Sequence, residues 1–514
     1  MTGPESTKGS SNAGLTALRV WAGAYRVELV LFAITFLVLT GFSAQRFLRQ
    51  SGAPHFVYQA KAWLDGRQDI DAEVLPNIED WACVRQLNGA PTRCEGQLQR
   101  SDRWYSSFPW FPSVVMLPFV AVNGYQLNDT SFGVIVAALA ITLLYSLLRL
   151  LTEHEGTTRE PLDNAVLALL FAFGTVFFYA AIRGEVWFSA EVMGVALTTL
   201  YLRNAVGARR PVLAGLFWSM AVMTRTPLFF TGVFFLLEAL VPTHGQRQAE
   251  WKAFLANPRP KLKVLASFAV AAAPLGLTAI VLNVTRFGSA TEFGHRFFYN
   301  NIVNRDIDTW GLFHPHYLAR NFDAAFLMLP TFAQNPLRVG YDVWGMSLFI
   351  TLPVLALAFV PSTDPKRAWQ ALAGMGAVLV ASALMGPLAP PPGEVPVGHR
   401  EPFLWLILGL VLAFFAASAR TWLADPKAPR LLLPVLVTLV VCMAPGLAYQ
   451  NTGRSQFGFR FSLDYTPYVI VLLALGRWDF KKGLPLVLAG LSVAAGVWGA
   501  VGFRGFTEQV FHWP

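Results

Sequence analysis

Charged residues that could do chemistry lie at the ends of hydrophobic segments, most densely in Arg-Gly-Glu-Val-Trp-Phe-Ser-Ala-Glu at positions 183–191. A charge beside an apolar segment is costly unless it meets a partner or a ligand. Glu185 and Glu191 are therefore candidate acids that could accept a proton from a nucleophile, and Arg183 is a candidate anion-binding cation. The simpler interpretation, a local ion pair between Arg183 and Glu185, stays open.

Two further arginines could bind a phosphate. Arg225 follows an apolar segment and precedes Thr-Pro, so it must face protein, water or a bound anion rather than lipid. Arg460 precedes Asp464 by four residues, a spacing that suits either a helical ion pair or a separate bidentate phosphate contact. The candidate substrate-binding residues are thus Arg183, Arg225, Arg460 and Asp464, with Arg400 on the same predicted side of the membrane.

Cysteines and histidines give weaker signals. Cys83 and Cys94 are two of only three cysteines, and their spacing predicts a disulfide on the outer face of a membrane. Zinc is the less favoured alternative because no second ligand pair follows at a suitable spacing. His-Pro-His at 314–316 is more typical of a loop than of a metal site. No cofactor or metal site is predicted, although a divalent cation stays possible.

The chain must position these groups within a membrane. Of its 514 residues 54% are hydrophobic and only 14% are charged. Apolar runs long enough to cross about 30 Å of hydrocarbon as helices recur along it. The sequence predicts an all-α polytopic membrane protein with about thirteen spans, as one domain over 27–514 after a cytoplasmic tail, 1–26. The spans are 27–47, 131–151, 164–182, 187–205, 211–223, 228–241, 264–285, 343–360, 368–388, 402–419, 430–449, 466–476 and 483–502.

Basic residues set the orientation. With a cytoplasmic N-terminus and no crossing at 108–127, Lys and Arg concentrate in the short loops on one side, as the positive-inside rule requires. The net charge of +9 therefore indicates membrane topology, and scattered basic residues between spans do not favour a nucleic-acid partner. Phosphate-binding glycine loops, CxxC pairs, His-Glu-x-x-His and internal repeats are missing from the sequence, which disfavours an ATP-driven pump or an inverted-repeat transporter.

Two long outer loops, 48–130 and 286–342, interrupt this pattern of short connections. The segment from Pro54 to Ile70 predicts a helix with an apolar face of Phe56, Val57, Ala60, Trp63 and Leu64, which is typical of a helix lying in the interface. A second interfacial helix is predicted over 104–124, where three prolines and an aromatic start disfavour a span. A loop that only lies on the membrane would show the same patterns.

Several segments together resemble the GT-C class of membrane glycosyltransferases, including protein O-mannosyltransferases and lipid A aminoarabinose transferases. They are FPWFPSVVMLPF, AIRGEVWFSAEVMGVALTTLYLRNA, GLFWSMAVMTRTPLFF and FGFRFSLDYTPYVIVLLAL. The resemblance implies transfer of a sugar from a polyprenyl phosphate to a hydroxyl or amine, with a carboxylate as base, cations at the leaving phosphate and a carboxylate at Glu191. At the usual position of the acid this sequence has Pro54-His55-Phe56.

Three explanations compete for that substitution. A neighbouring acid, Asp65, Asp69, Asp71, Asp80 or Asp102, replaces it; His55 itself is the base; or the chemistry has been lost. The resulting hypothesis is a glycosyltransferase of a bacterial inner membrane that acts on its outer face. Its partners would be a polyprenyl-phosphate sugar donor, membrane lipids and a lipid, glycan or protein acceptor. The alternative is a non-catalytic transporter or flippase for lipid-linked sugars.

Overall fold

The computed structural model describes residues 25–76, 80–155, 157, 159–240, 252, 255–333, 338–340, 342–385 and 401–505. Arg400 and nearly all of the predicted tail 1–26 lie outside these residues. The described chain is mostly helical, as the composition predicts.

Within these residues, six helices are long and apolar enough to cross a membrane: Arg26–Leu48, Asp129–His154, Arg259–Phe287, Pro365–Leu384, Trp405–Leu423 and Gly483–Gly502. Shorter apolar helices are Pro161–Gly174, Pro211–Val222, Thr226–Leu240, Leu432–Leu447 and Thr466–Leu475. The helix Val186–Ala205 is almost entirely buried among them. The chain is therefore an integral membrane protein, but the predicted number of about thirteen spans is not established by these helices.

Close packing between helices brings together the segments that carry the candidate site residues. The Asp129–Glu155 helix packs against both Arg26–Ser43 and Val186–Ala205, and Pro211–Val222 packs between Val186–Ala205 and Arg259–Phe287. Gly215 makes the last contact possible, because a Cβ there would overlap the backbone carbonyl oxygen of Phe268. Small residues commonly allow such close approach between membrane helices. Segments 183–191 and 222–230 consequently lie side by side.

The first outer loop corrects the purely helical prediction. It contains an antiparallel sheet of β1 (Trp81–Leu87), β2 (Ala90–Arg93) and β3 (Arg103–Ser106), with β1 in the centre. Asn88 and Gly89 both adopt positive φ between β1 and β2, as an Asn-Gly hairpin turn requires. The Cys83–Cys94 disulfide joins the same two-stranded hairpin region.

The two helices of this loop are more enclosed than an interfacial pattern predicts. His55–Leu64 packs against Phe111–Asn123, and residues 53–60 are all buried. Tyr58, which the amphipathic pattern places away from the apolar face, packs against the ring of Tyr125 at a centroid distance of 4.8 Å. The 13-residue Phe111–Asn123 helix contains Pro118 and is too short to span a bilayer alone. The two helices of the first outer loop therefore form a packed unit rather than lying exposed in the membrane interface.

The second outer loop combines short helices with a small hairpin. Its helices include Asn304–Trp310 and Leu318–Phe322, and strands Thr331–Ala333 and Arg338–Gly340 pair antiparallel. The predicted span at 343–360 is wrong, because this segment forms two four-residue helices, Leu348–Thr351 and Leu355–Ala358. Pro353 follows Leu352 at the break, and the residue before a proline is disfavoured in the helical conformation.

Candidate active site

A cavity of about 1260 Å³ lies where the two outer loops meet the helix ends. Four arginines and three carboxylates line it, so its wall carries an excess of one positive charge: Asp80, Arg183, Glu185, Arg225, Arg454, Arg460 and Asp464. Burial lowers the pKa of His295, which also lines the cavity, to about 4 and keeps its imidazole neutral near pH 7. The cavity brings together most of the predicted substrate-binding residues.

Arg225 and Asp464 form a bidentate ion pair in the cavity wall. Arg225 Nε lies 2.6 Å from Asp464 Oδ1 and Nη2 lies 2.8 Å from Oδ2. The predicted alternative of a helical Arg460–Asp464 pair is therefore not what the structure adopts, because Asp464 binds a residue 239 positions away. The bidentate contact fixes the plane of the Arg225 guanidinium.

Arg460 lies beside Arg225 and faces Glu191. Its Nη1 is 3.5 Å from Glu191 Oε1, and Arg225 Nη1 is 3.6 Å from the same oxygen. The guanidinium of Arg460 also lies over the rings of Phe188 and Phe461, at 5.3 and 5.1 Å. One carboxylate thus balances two adjacent cations, and the aromatic rings restrict where the second cation can point.

Glu191 does not line the cavity but lies behind the arginines. Its side chain is 0% exposed, and neither carboxylate oxygen makes a hydrogen bond to any described residue. It projects from the Val186–Ala205 helix, while Arg225 follows Pro211–Val222 and Arg460 begins a short 3-10 helix, Arg460–Asp464. Its position suits charge balance for the arginines rather than proton transfer from a substrate.

Asp80 is the outer-loop acid whose position suits a base. Its carboxylate accepts hydrogen bonds from Trp187 Nε1, at 2.7 Å, and from Asn301 Nδ2. Ser107 Oγ donates to its carbonyl oxygen at 2.7 Å. Asp80 has a φ of 56°, a left-handed conformation that is unfavourable for a residue with a Cβ and that often marks functional sites. Neutral donors from two segments therefore orient this carboxylate on the cavity wall, and Ser107 holds its backbone.

His55 takes a supporting position outside the cavity lining. Its ring stacks on Trp81 at 3.8 Å and meets the edge of Phe108 at 5.4 Å. The side chain is fully buried. Trp81 directly follows Asp80 in the chain, so His55 supports the position of Asp80 by packing against its neighbour. Among the three explanations for the missing acid, this geometry favours a neighbouring carboxylate.

The remaining acids and the pair at 183–185 have clear partners. Arg183 forms a bidentate pair with Glu185, at 2.9 and 2.5 Å, on the cavity wall. Asp102 lies outside the cavity and pairs with Arg85 at 2.8 and 2.7 Å. Asp65 pairs with Lys61, and both Asp69 and Asp71 pair with Arg67. These four aspartates stabilise the loop locally and do not reach the cavity.

No metal site emerges at the cavity within the described ranges. The group of potential ligands that the structure clusters is Cys83, Cys94 and Asp102, and its two sulfur atoms are already bonded to each other. His314 and His316 instead pack against Trp310, with centroid distances of 4.9 and 4.6 Å. The His-Pro-His segment is a loop feature beside the cavity-lining Phe313.

One side of the cavity is apolar and continues to the outer surface of the helices. Phe229, Phe230 and Ile280 line it and are 56%, 41% and 46% exposed. Gly276 lies on the same helix as Ile280, Arg259–Phe287, which is one of the membrane-spanning candidates. The cavity therefore offers a charged inner end and an apolar side at the level of a spanning helix.

Several residues that shape the site carry no recognisable sequence signal. Asn301 and Trp187 hold Asp80 from positions 221 and 107 residues away in the chain. Tyr449 and Arg454 line the cavity from the segment after Leu432–Leu447. Of the segments that resemble the GT-C class, FGFRFSLDYTPYVIVLLAL at 457–475 is the one that indicates this part of the chain.

The fold and the site together define a polytopic helical membrane protein with an arginine-rich cavity beneath structured outer loops. Searches against protein-family models and against curated proteins find no match to this chain. A solved structure, ArnT from Cupriavidus metallidurans bound to undecaprenyl phosphate, is similar with a TM-score of 0.34 and 13% identity. The alignment covers 94% of this chain and 79% of that chain.

Proposed function

We propose that the protein is an integral membrane glycosyltransferase that moves a sugar from a polyprenyl-phosphate donor to a lipid, glycan or protein acceptor. The observation that carries this proposal is one cavity containing Arg225, Arg460 and Asp80, with an apolar side toward a spanning helix. The topology predicted from basic residues places this cavity on the outer face, which for a bacterial protein means the periplasmic side of the inner membrane.

The reaction is a single displacement. The acceptor oxygen or nitrogen attacks the anomeric carbon and forms a new bond to it. The bond between that carbon and the phosphate oxygen breaks, and its electron pair stays on the phosphate. The acceptor proton moves to a carboxylate, which later releases it to water. The products are a glycosylated acceptor and a polyprenyl phosphate, with inversion at the sugar carbon.

Asp80 is the proposed base. Each of its two oxygens accepts a hydrogen bond from a neutral N–H donor, and these bonds orient the carboxylate at the cavity wall, where a base must meet the acceptor proton. Glu185 is engaged by Arg183 through both oxygens, and Glu191 lies behind the cavity wall. The sequence-based preference for these two glutamates is thus replaced by a preference for Asp80.

Arg225 and Arg460 are the proposed phosphate ligands. Negative charge grows on the leaving phosphate during the displacement, and preorganised cations stabilise it most where water is excluded. Asp464, Glu191 and the aromatic rings hold both guanidinium groups before substrate arrives. Phe229, Phe230 and Ile280 would contact the first isoprenoid units of the donor.

A transporter or flippase for lipid-linked sugars is the second candidate. The acidic partners of Arg225 and Arg460 already balance their charge, which would favour weak, reversible phosphate binding. Such a protein would use the same cavity but would not need Asp80.

Purified protein in liposomes, supplied with labelled polyprenyl-phosphate sugars and a membrane extract containing acceptors, separates the two functions. Transfer predicts loss of label from the lipid and a fall of about 100-fold or more in Asp80→Asn, since a general base contributes about 10²–10⁴-fold. Asp65→Asn is the matched control because Asp65 is an outer-loop acid outside the cavity. Translocation of intact donor without cleavage would refute the transferase.

A further inference from the structure

A second, polar cavity of about 490 Å³ lies next to the first. Arg46 and Arg49 line it, and Gly52 and Glu185 line both cavities. The two spaces therefore share a wall at Gly52 and Glu185. The first cavity alone has the apolar side that fits a polyprenyl chain, so the second one is available for another molecule.

The charge of the second cavity points to an anionic ligand. Arg46 lies in the last turn of the first spanning helix, Arg26–Leu48, and Arg49 follows that helix directly. Gln45, Gln50, Ser51 and Thr130 add neutral polar groups to the lining, and Glu185, its one acid among the described residues, is paired with Arg183. The lining thus combines two arginines with neutral polar side chains and one carboxylate.

Hydrogen bonds and close packing hold the wall between the two cavities in place. Asp129 accepts hydrogen bonds from Ser51 N at 2.7 Å and Ser51 Oγ at 2.6 Å, which fixes the residue before Gly52. Opposite it, a Cβ at Gly184 would overlap Thr130, so only glycine lets the segment before Glu185 approach this closely. A Cβ at Gly52 itself would meet no atom within 4 Å. Gly52 therefore leaves the junction open where a side chain would fill it.

We propose that the second cavity binds the sugar acceptor, and that this acceptor carries a phosphate or carboxylate group held by Arg46 and Arg49. Its nucleophilic hydroxyl or amine would reach the donor sugar through the junction at Gly52 and Glu185. This inference rests on the proposed transferase function and adds the chemical class of the acceptor and its route.

Thiol modification tests the anion preference without requiring turnover. Gly52→Cys in the full-length protein places one thiol at the junction, because Cys442 is buried and Cys83 and Cys94 are bonded to each other. A negatively charged methanethiosulfonate should react roughly tenfold faster than its positively charged counterpart, since clefts of one sign concentrate counter-ions. Arg46→Gln with Arg49→Gln should bring the two rates together, and glycerol phosphate should slow the anionic reagent. Equal rates in the presence of both arginines would overturn the anion site.

Transfer kinetics test the route. Gly52→Leu should raise the acceptor KM or lower transfer by on the order of tenfold or more through misplacement of the acceptor. Because Gly52 also borders the first cavity, the change in acceptor KM should exceed any change in undecaprenyl phosphate binding. Gly41→Leu is the matched control: a Cβ there also meets no atom within 4 Å, and Gly41 lines neither cavity. Normal acceptor kinetics in Gly52→Leu would overturn the route. Anion-selective modification in a protein that never cleaves the donor would refute the transferase and leave the anion site standing.

Discussion

Glu191 shows how a buried charge can serve a site without touching a ligand. Removing its charge leaves Arg225 and Arg460 close together with one carboxylate fewer, and an uncompensated buried charge typically costs about 3–5 kcal/mol. We expect Glu191→Gln to melt at a lower temperature than wild type yet to bind undecaprenyl phosphate more tightly, because a competing anion is gone. Thermal unfolding and lipid binding in detergent measure both.

The opposite signs distinguish charge balance from a purely structural role. Glu153→Gln is the control, because Glu153 is 58% exposed and belongs to a weak pair with Arg149 at 3.8 Å. Weaker phosphate binding by Glu191→Gln would contradict the assignment of Glu191 as a counter-charge.

Asp102 gives a pH-dependent prediction for the outer-loop sheet. Hydrogen bonds from Arg85 and, to a smaller extent, from Gln99 N hold its pKa below the usual value of 3.8, against the opposing effect of burial. A lowered folded-state pKa contributes stability that is complete above the unfolded-state pKa and is lost as the pH falls through the folded-state pKa. Asp102→Asn should therefore lower the melting temperature near neutral pH.

The size of that effect should depend on pH in one direction. The difference between wild type and Asp102→Asn should stay constant from neutral pH down to about pH 4 and should shrink below the usual pKa of 3.8, because wild type loses the ionised pair only there. Asp65→Asn, which removes an exposed pair, should show little difference at any pH. A difference that grows toward low pH would refute the role of the Arg85–Asp102 pair.

At the scale of elements, long apolar runs predict helices well because their length and composition are decided locally. The Gly483–Gly505 and Arg259–Phe287 helices follow the predicted segments closely. The strands at 81–106 are not among the predicted elements, although Asn88-Gly89 between short runs is a strong hairpin signal. Pro353 after Leu352 likewise indicates a helix break, but the overall hydrophobicity of 343–360 predicts a continuous span instead.

Packing between elements depends on glycines whose role the sequence did not reveal. A Cβ at Gly496 would overlap the backbone carbonyl oxygen of Phe173, whereas a Cβ at Gly490 on the same helix would meet no atom within 4 Å. Gly496→Ala should therefore destabilise the protein by about 1–3 kcal/mol, the usual cost of overpacking. Gly490→Ala should be neutral or slightly stabilising.

Thermal unfolding of the two purified alanine variants makes this comparison directly. They have the same composition and lie on the same helix, so a shared loss of stability would indicate a general effect of alanine. Equal melting temperatures would show that the Phe173 contact can relax without cost.

At the scale of the whole molecule, the site depends on contacts that no local pattern encodes. Arg225 meets Asp464 across 239 residues, and Asn301 meets Asp80 across 221. The sequence could identify each arginine as unusual for its surroundings, but it could not pair them. The sequence also could not identify which outer-loop aspartate lines the cavity. That depends on how the sheet and the second outer loop are placed in the folded protein.

Orientation in the membrane is the remaining whole-molecule prediction, and the distribution of Lys and Arg is the observation on which it rests. Glu95 lies in the first outer loop and its side chain is 74% exposed, while the side chain of Lys482, in a predicted cytoplasmic loop, is 81% exposed. In intact cells with a permeable outer barrier, a membrane-impermeant maleimide should label Glu95→Cys but not Lys482→Cys. Membrane disruption should expose the second thiol. Cys442 is buried and should give little background. Labelling of Lys482→Cys alone would invert the topology and place the cavity on the cytoplasmic side, where the proposed outer-face reaction could not occur.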